Sequence, residues 1–351
     1  MRQRSHRLAA IAASIVVCGS ILAGVITAGA AQDDGTGAAP IPPPTDCVLV
    51  PAVAQVVVPM DDAASPVVEA EATPGSTPIP SINATPVASP VAGATPVTGS
   101  ESTPVVEADP NAAVLAELQA TANSILACLN ERNFEMYAAF TSDAFRGRLF
   151  GSAEPLSADQ FVPLAATLPD VDSRILTIGN LQTIDADTVT VDITYLSANQ
   201  VNSGTWTFRH GSVDGLSSWT LDREDPRPAA APEGASTVRL TFADDAITLD
   251  PTTVSGPDVV FALSNPTGED HEALVLRLED GIDTSVLLRG GTGFPEGVTI
   301  VGQATVVAGA DGTLVLSGLE PGTYTIVDLL LNADGLPHLS LGLEATLTVT
   351  P

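Results

Sequence analysis

The chain contains no lysine: its 13 basic residues are all arginine, set against 42 Asp and Glu in 351 residues. Aromatic residues make up only 4%, and there are three cysteines and four histidines. The shortage of positive charge removes one large class of partner. A formal charge of −29 repels phosphate backbones and anionic lipid heads, so nucleic acid is excluded and a membrane is reached only through the N-terminal segment. Several catalytic signatures are missing too. There is no G-x-S-x-G elbow, no phosphate loop, no Cys-x-x-Cys and no His-x-x-x-His. What remains is ample apolar material, 44% of residues, in a length that suits about two domains.

Three of the arginines, Arg2, Arg4 and Arg7, precede an apolar, small-residue run from Leu8 to about Thr27. Ala28-Gly29-Ala30 then offers a cleavage site, so residues 1–31 read as an export signal. The 24 apolar residues from Leu8 to Ala31 are also long enough to span a bilayer, which leaves an uncleaved N-terminal anchor as the alternative. Cys18 lies inside this run. The other two cysteines, Cys47 and Cys128, would then sit in an oxidising compartment, where a pair favours one disulfide worth on the order of 4 kcal/mol. The alternative is a free Cys47 and a buried Cys128.

Residues 40–104 hold 14 of the 28 prolines and no arginine, with Thr-Pro and Ser-Pro pairs at short intervals. Proline at this density removes backbone donors, and unpartnered acids repel, so residues 32–108 are expected to form a disordered, extended spacer. Cys47 to Met60 is an exception rich in valine, a candidate for docking on a domain.

Asp109-Pro110 forms a helix start, and Val114, Leu115, Leu118, Ala122, Ile125, Leu126 and Leu129 follow at helical spacing. Two shorter helices are expected at 133–140 and 158–166. Beyond Pro169 the period becomes two: in Thr188–Tyr195 the residues Val189, Val191, Ile193 and Tyr195 share a face. Further strands are expected at 174–183, 204–209 and 217–223, giving an α+β domain over 109–226. The order of these elements, with Cys128-Leu129-Asn130-Glu131-Arg132-Asn133-Phe134, Trp206-Thr207-Phe208 and Ser218-Trp219-Thr220-Leu221-Asp222, resembles the nuclear transport factor 2 / SnoaL-like superfamily. The resemblance implies a cone around a pocket, with Tyr137, Tyr195, Trp206, His210 and Trp219 as candidate lining. Members use that pocket in enzymes, ligand binders and association modules, so the fold does not choose a function.

After a linker at 227–236, residues 237–351 alternate without a helical stretch and are punctuated by Gly and Pro, which predicts an all-β sandwich. Asn265-Pro266-Thr267-Gly268-Glu269-Asp270-His271, Pro321-Gly322-Thr323-Tyr324 leading to Asp328, and Gly335-Leu336-Pro337-His338 leading to Leu343 resemble the cupredoxin family of plastocyanin-like blue-copper proteins. The resemblance implies a Greek-key sandwich with ligands at His271, His338, a Cys position and a Met position. Here the Cys position is Asp328 and the Met position is Leu343. A blue-copper centre rests on a copper–thiolate bond, so that chemistry is disfavoured. Two readings stay open for His271, Asp328 and His338: a Zn(II) or colourless Cu(II) site, or a metal-free hydrogen-bonded cluster. The leading expectation is an exported, non-catalytic binding or scaffold protein meeting a cell-surface or extracellular partner, with no cofactor. The alternatives are a copper- or zinc-binding protein, and an enzyme or small-ligand binder using the middle pocket.

Overall fold

A computed structural model describes residues 46–52, 110–213, 215–289 and 294–351. The export segment, most of the spacer and the Asp109 cap lie outside the described residues. So does the remainder of the Cys47–Met60 stretch beyond Ala52.

The long helix is α1, Pro110–Asn130. Its stripe faces the core as the spacing predicts, with Val114, Leu118, Ala122, Ile125, Leu126 and Cys128 all buried. Three short helices follow: α2 (Phe134–Ala139), α3 (Asp143–Leu149) and α4 (Ala158–Ala165). Local capping starts two of them. Asn133 Oδ1 accepts from Met136 N at 3.1 Å, and Ser142 Oγ accepts from Phe145 N at 3.1 Å. These helices pack on an antiparallel meander of β1 (Ser173–Asp185), β2 (Thr188–Ser197), β3 (Gln200–Val213) and β4 (Leu216–Arg227). The strands run longer than the periodicity indicated. Gly211, beyond the strand expected at 204–209, is inside β3, which runs on to Val213.

The last part of the chain forms two packed sheets. One contains β5 (Ser236–Ala243), β6 (Ala246–Asp250), β8 (Val259–Ser264) and β11 (Asp311–Leu316), in the order β6-β5-β8-β11. The other contains β7 (Thr253–Ser255), β9 (His271–Leu278), β10 (Val298–Val306), β12 (Gly322–Val327) and β13 (Glu344–Thr350), in the order β10-β9-β12-β13-β7. Two turns of 3-10 helix, Thr284–Leu288 and His338–Leu341, interrupt what was expected to be a helix-free stretch. Between the sheets lie Val238, Leu240, Phe242, Phe261, Ala273, Val275, Tyr324, Ile326 and Leu347.

Two features depart from separate domains on a disordered spacer. First, residues 46–52 are ordered on the α+β domain: Cys47 is bonded to Cys128, Ala52 N donates to Ser217 O at 2.8 Å, and Ala52 is buried. Seven residues of the expected spacer therefore belong to the folded body. Second, β3 bridges to β11 through Gln200 and Leu316, so the meander and one sandwich sheet run on as one sheet of eight strands. Asn199 donates from Nδ2 to Ser317 O at 3.0 Å, and Gln303 N donates to Gln200 Oε1 at 2.8 Å. Leu196, Val201 and Val315 are buried together in this seam. At Gly302 a Cβ would lie 2.4 Å from Leu316 Cδ2, so a side chain there would displace the wholly buried Leu316.

Candidate functional site

His271 opens β9, Asp328 directly follows β12, and His338 opens the second 3-10 turn, so three separate segments converge at one end of the sandwich. Strand parity puts Asp328 on the inward face with Tyr324 and Ile326, and all three are buried. The loop carrying Asp328 folds back on the His338 turn: His338 N donates to Leu330 O at 2.9 Å and Leu339 N donates to Asp328 O at 2.7 Å. The first loop is set by Asn265, whose Nδ2 donates to Glu269 O at 2.8 Å and to Val306 O at 2.9 Å.

The side chains form a compact polar cluster in an apolar setting. His271 Nδ1 and Asp328 Oδ2 are hydrogen-bonded at 2.6 Å, and Leu330 N donates to Asp328 Oδ1 at 2.9 Å. His338 Nδ1 lies 3.1 Å from the same Oδ2, out of line for a hydrogen bond, while its Nε2 contacts Glu269 Oε2 at 2.9 Å. Phe242 stacks on the His271 ring at 5.0 Å, and the two imidazoles are 4.5 Å apart. His271 Nε2 is buried without a partner. The hydrogen bond from His338 holds the Glu269 carboxyl below its ordinary range.

A second carboxyl lies behind the first. β9 is covered on both sides, its Ala273 and Val275 facing the inter-sheet core and its Leu274 and Leu276 a second cluster with Val327 and Leu339. Glu272 shares the second face and is buried, hydrogen-bonded by Gln303 Nε2. Burial, then the nearby Asp328 charge, pushes its pKa up to about 7.

The donor atoms of His271, Asp328 and His338 all lie within 4.8 Å of one another, which makes them a candidate metal centre. They do not fit a blue-copper site, because that chemistry rests on a copper–thiolate bond and none of the three offers a sulfur. For Zn(II) or Cu(II) the two imidazoles and a carboxylate are suitable donors. Their spacing is that of a proton-linked cluster, however. With bonds of about 2.05 Å, tetrahedral donors sit ~3.3 Å apart, whereas the 2.6 Å separation of His271 Nδ1 and Asp328 Oδ2 corresponds to an angle of about 80°. His338 Nδ1 and Asp328 Oδ2 face each other with lone pairs unless a proton or a cation stands between them.

The five candidates in the α+β domain fall into separate groups. Tyr137 stacks on Phe161 at 5.6 Å. Tyr195 meets Trp206 at 5.6 Å, and His210 meets Trp219 edge-on at 5.0 Å. His210 Nε2 lies 2.8 Å from Ser217 Oγ, and Trp219 Nε1 donates to Glu117 Oε2 at 3.2 Å. Trp219 is wholly buried, Tyr137 and Trp206 are buried, and Tyr195 and His210 are half-buried. An open groove in this domain is lined by Thr177, Asn180, Asp192, Ser203 and Arg227 and by none of the five. A carboxyl not foreseen from the sequence, Glu224, accepts from Tyr195 Oη at 3.0 Å, with the Trp206 indole N–H turned toward it. Burial raises its pKa. Its signal was available, since Glu224 lies opposite Trp206 once the β4 register is known.

No protein-family model and no curated protein matches this chain. Among solved structures it is similar to auracyanin from the photosynthetic bacterium Roseiflexus castenholzii, with 18% identity over 34% of this chain and all of that one, at a TM-score of 0.26. It is also similar to a chain titled as a ketosteroid isomerase from Kribbella flavida, with 21% identity over 33% of this chain and 82% of that one, at a TM-score of 0.21. A multicopper oxidase from Campylobacter jejuni aligns at 10% identity over 46% of this chain and 43% of that one, at a TM-score of 0.22. No chemistry is transferred from likenesses at these levels.

Proposed function

We propose that the protein is an exported, non-catalytic binding or scaffold protein, and that its last domain is a cupredoxin-like sandwich whose copper centre has been exchanged for a carboxylate–imidazole cluster. One observation carries this reading. The Asp328 carboxylate is hydrogen-bonded directly to His271 at 2.6 Å, with His338 held from its other side by Glu269. Such a cluster ties three loops together through its hydrogen bonds, and it has no thiolate for fast electron transfer. A partner at a cell surface or outside the cell would then meet the acidic surface of the body.

The experiment is optical. Wild-type protein mixed with Cu(II) develops no intense thiolate band, whereas Asp328→Cys with Leu343→Met does. A blue wild type overturns the reading, and a folded but colourless double variant overturns the ligand assignment.

A second reading, a colourless Zn(II) or Cu(II) site, is favoured by the orphaned His338 Nδ1, which faces Asp328 Oδ2 at 3.1 Å without a hydrogen-bond partner. A third, ligand binding in the α+β domain, is supported by the Glu224 carboxyl against Tyr195 and Trp206.

A further inference from the structure

Residues 46–52 form an arm held against the end of α1 and the start of β4, and its covalent hold is the disulfide between Cys47 and Cys128. Its other fastenings are few. Cys47 N donates to Glu131 Oε1 at 3.2 Å, Ser218 Oγ donates to Val50 O at 3.3 Å, and Ala52 N donates to Ser217 O at 2.8 Å. Two of these are longer than the usual distance of about 2.9–3.0 Å. Ala52 is the arm's one buried residue, Leu49 is partly buried, and Val48 is 53% exposed.

The domain beneath has a core of its own. Its apolar cluster rests on large side chains from other elements, among them Leu118, Ile125, Phe140, Phe208 and Trp219, each at most 1% exposed. Loss of Leu49 and Ala52 subtracts little from it, and a reduced Cys128 stays behind as a small buried thiol. The outer edge of β4 also has a second clasp, independent of the arm: Leu221 N donates to Phe140 O at 2.8 Å and Ser142 N donates to Leu221 O at 3.0 Å.

We infer that the arm is a redox-operated strap: the disulfide holds it closed, and reduction lifts it and opens the outer edge of β4 at Ser217 while the domain stays folded. Cys128 is wholly buried and Cys47 half-buried, so a thiolate of a dithiol reductant attacks the Cys47 sulfur. The S–S bond breaks, and the Cys128 sulfur leaves and takes up a proton. The reductant's second thiol then displaces Cys47 and closes the reductant's own disulfide, so two electrons and two protons pass to the two cysteines. With the arm lifted, Ser217 O loses its partner and the start of β4 becomes a bare strand edge, the kind of surface that pairs with another extended chain. An oxidising compartment keeps the strap closed.

The test is amide hydrogen exchange on the full chain, comparing the oxidised protein with two opened forms. One is the dithiothreitol-reduced protein, its two free thiols confirmed by alkylation and mass; the other is Cys47→Ser without reductant, which does not depend on access to the sulfurs. In both, the amides at positions 47 and 52 should exchange on the order of tenfold or more faster, with no change in α1 or β8. Unchanged exchange at 47 and 52 in either form would overturn the proposal, because hydrogen bonds and packing alone would then hold the arm. Protection lost across α1 as well would also overturn it, because the disulfide would then support the whole domain and not a strap.

Discussion

Asp328→Ala is the substitution that bears hardest on the cluster at the end of the sandwich. The wild-type carboxylate is wholly buried and takes hydrogen bonds from His271 Nδ1 at 2.6 Å and Leu330 N at 2.9 Å. Its loss strands both donors away from water, each costing about 1–3 kcal/mol, and removes the charge facing two imidazoles. The total expected is about 3–5 kcal/mol. For a cooperative body of this size each kcal/mol moves the melting temperature by about 2–4 °C, so Tm should fall by roughly 6–20 °C. Asp328→Asn keeps the shape and one oxygen and should cost about 1–2 kcal/mol. Calorimetry of the three proteins after chelator treatment measures the series. An Asp328→Ala melt within about 2 °C of wild type would refute the view that this carboxylate organises the three loops.

Two further outcomes follow from the seam and from Glu224. Gly302→Ala forces Leu316 out of its place and should cost about 1–3 kcal/mol, seen as a lower urea midpoint; an unchanged midpoint would contradict tight packing between the β3 end and β11. Glu224 has a pKa raised above its ordinary 4.5 by burial, so the folded chain holds this proton more firmly than the unfolded one. Its contribution is complete below the unfolded value and is lost as pH rises through the folded value. Glu224→Gln should therefore gain stability relative to wild type as pH rises above about 4.5, and a difference that stays constant with pH would show that the Glu224 pKa is not raised by folding.

Much of the body was legible because burial follows period. The α1 stripe and the Val189–Tyr195 alternation appear in the structure as read, since each element has one covered face. The pattern failed where elements are short or covered twice. β6 and β7 are five and three residues long and flank Asp250-Pro251, too little for a period to show. α3, DAFRGRL, carries a mid-helix Gly147 and two arginines, and only the Ser142 cap announces it. Glu272 was not singled out, and it is buried on the β9 face that Leu274 and Leu276 share with Val327 and Leu339, which are distant in sequence. Convergence of His271, Asp328 and His338 followed from the family resemblance and strand parity. Glu269, two residues before His271, completes the cluster and was not singled out, because a loop carboxylate has no periodicity to mark its direction. The seam at Gln200 and Gly302 was hidden for a similar reason: a single bridge between strands more than a hundred residues apart leaves no local trace.

The most direct test of the cluster is calorimetric titration of chelator-treated protein with Zn(II) and with Cu(II), comparing wild type with His338→Ala. A hydrogen-bonded cluster predicts that neither metal binds one-to-one at micromolar concentration and that His338→Ala leaves the trace unchanged. One equivalent of tightly bound metal in the wild type, lost in His338→Ala, would contradict it and make His271, Asp328 and His338 a metal centre.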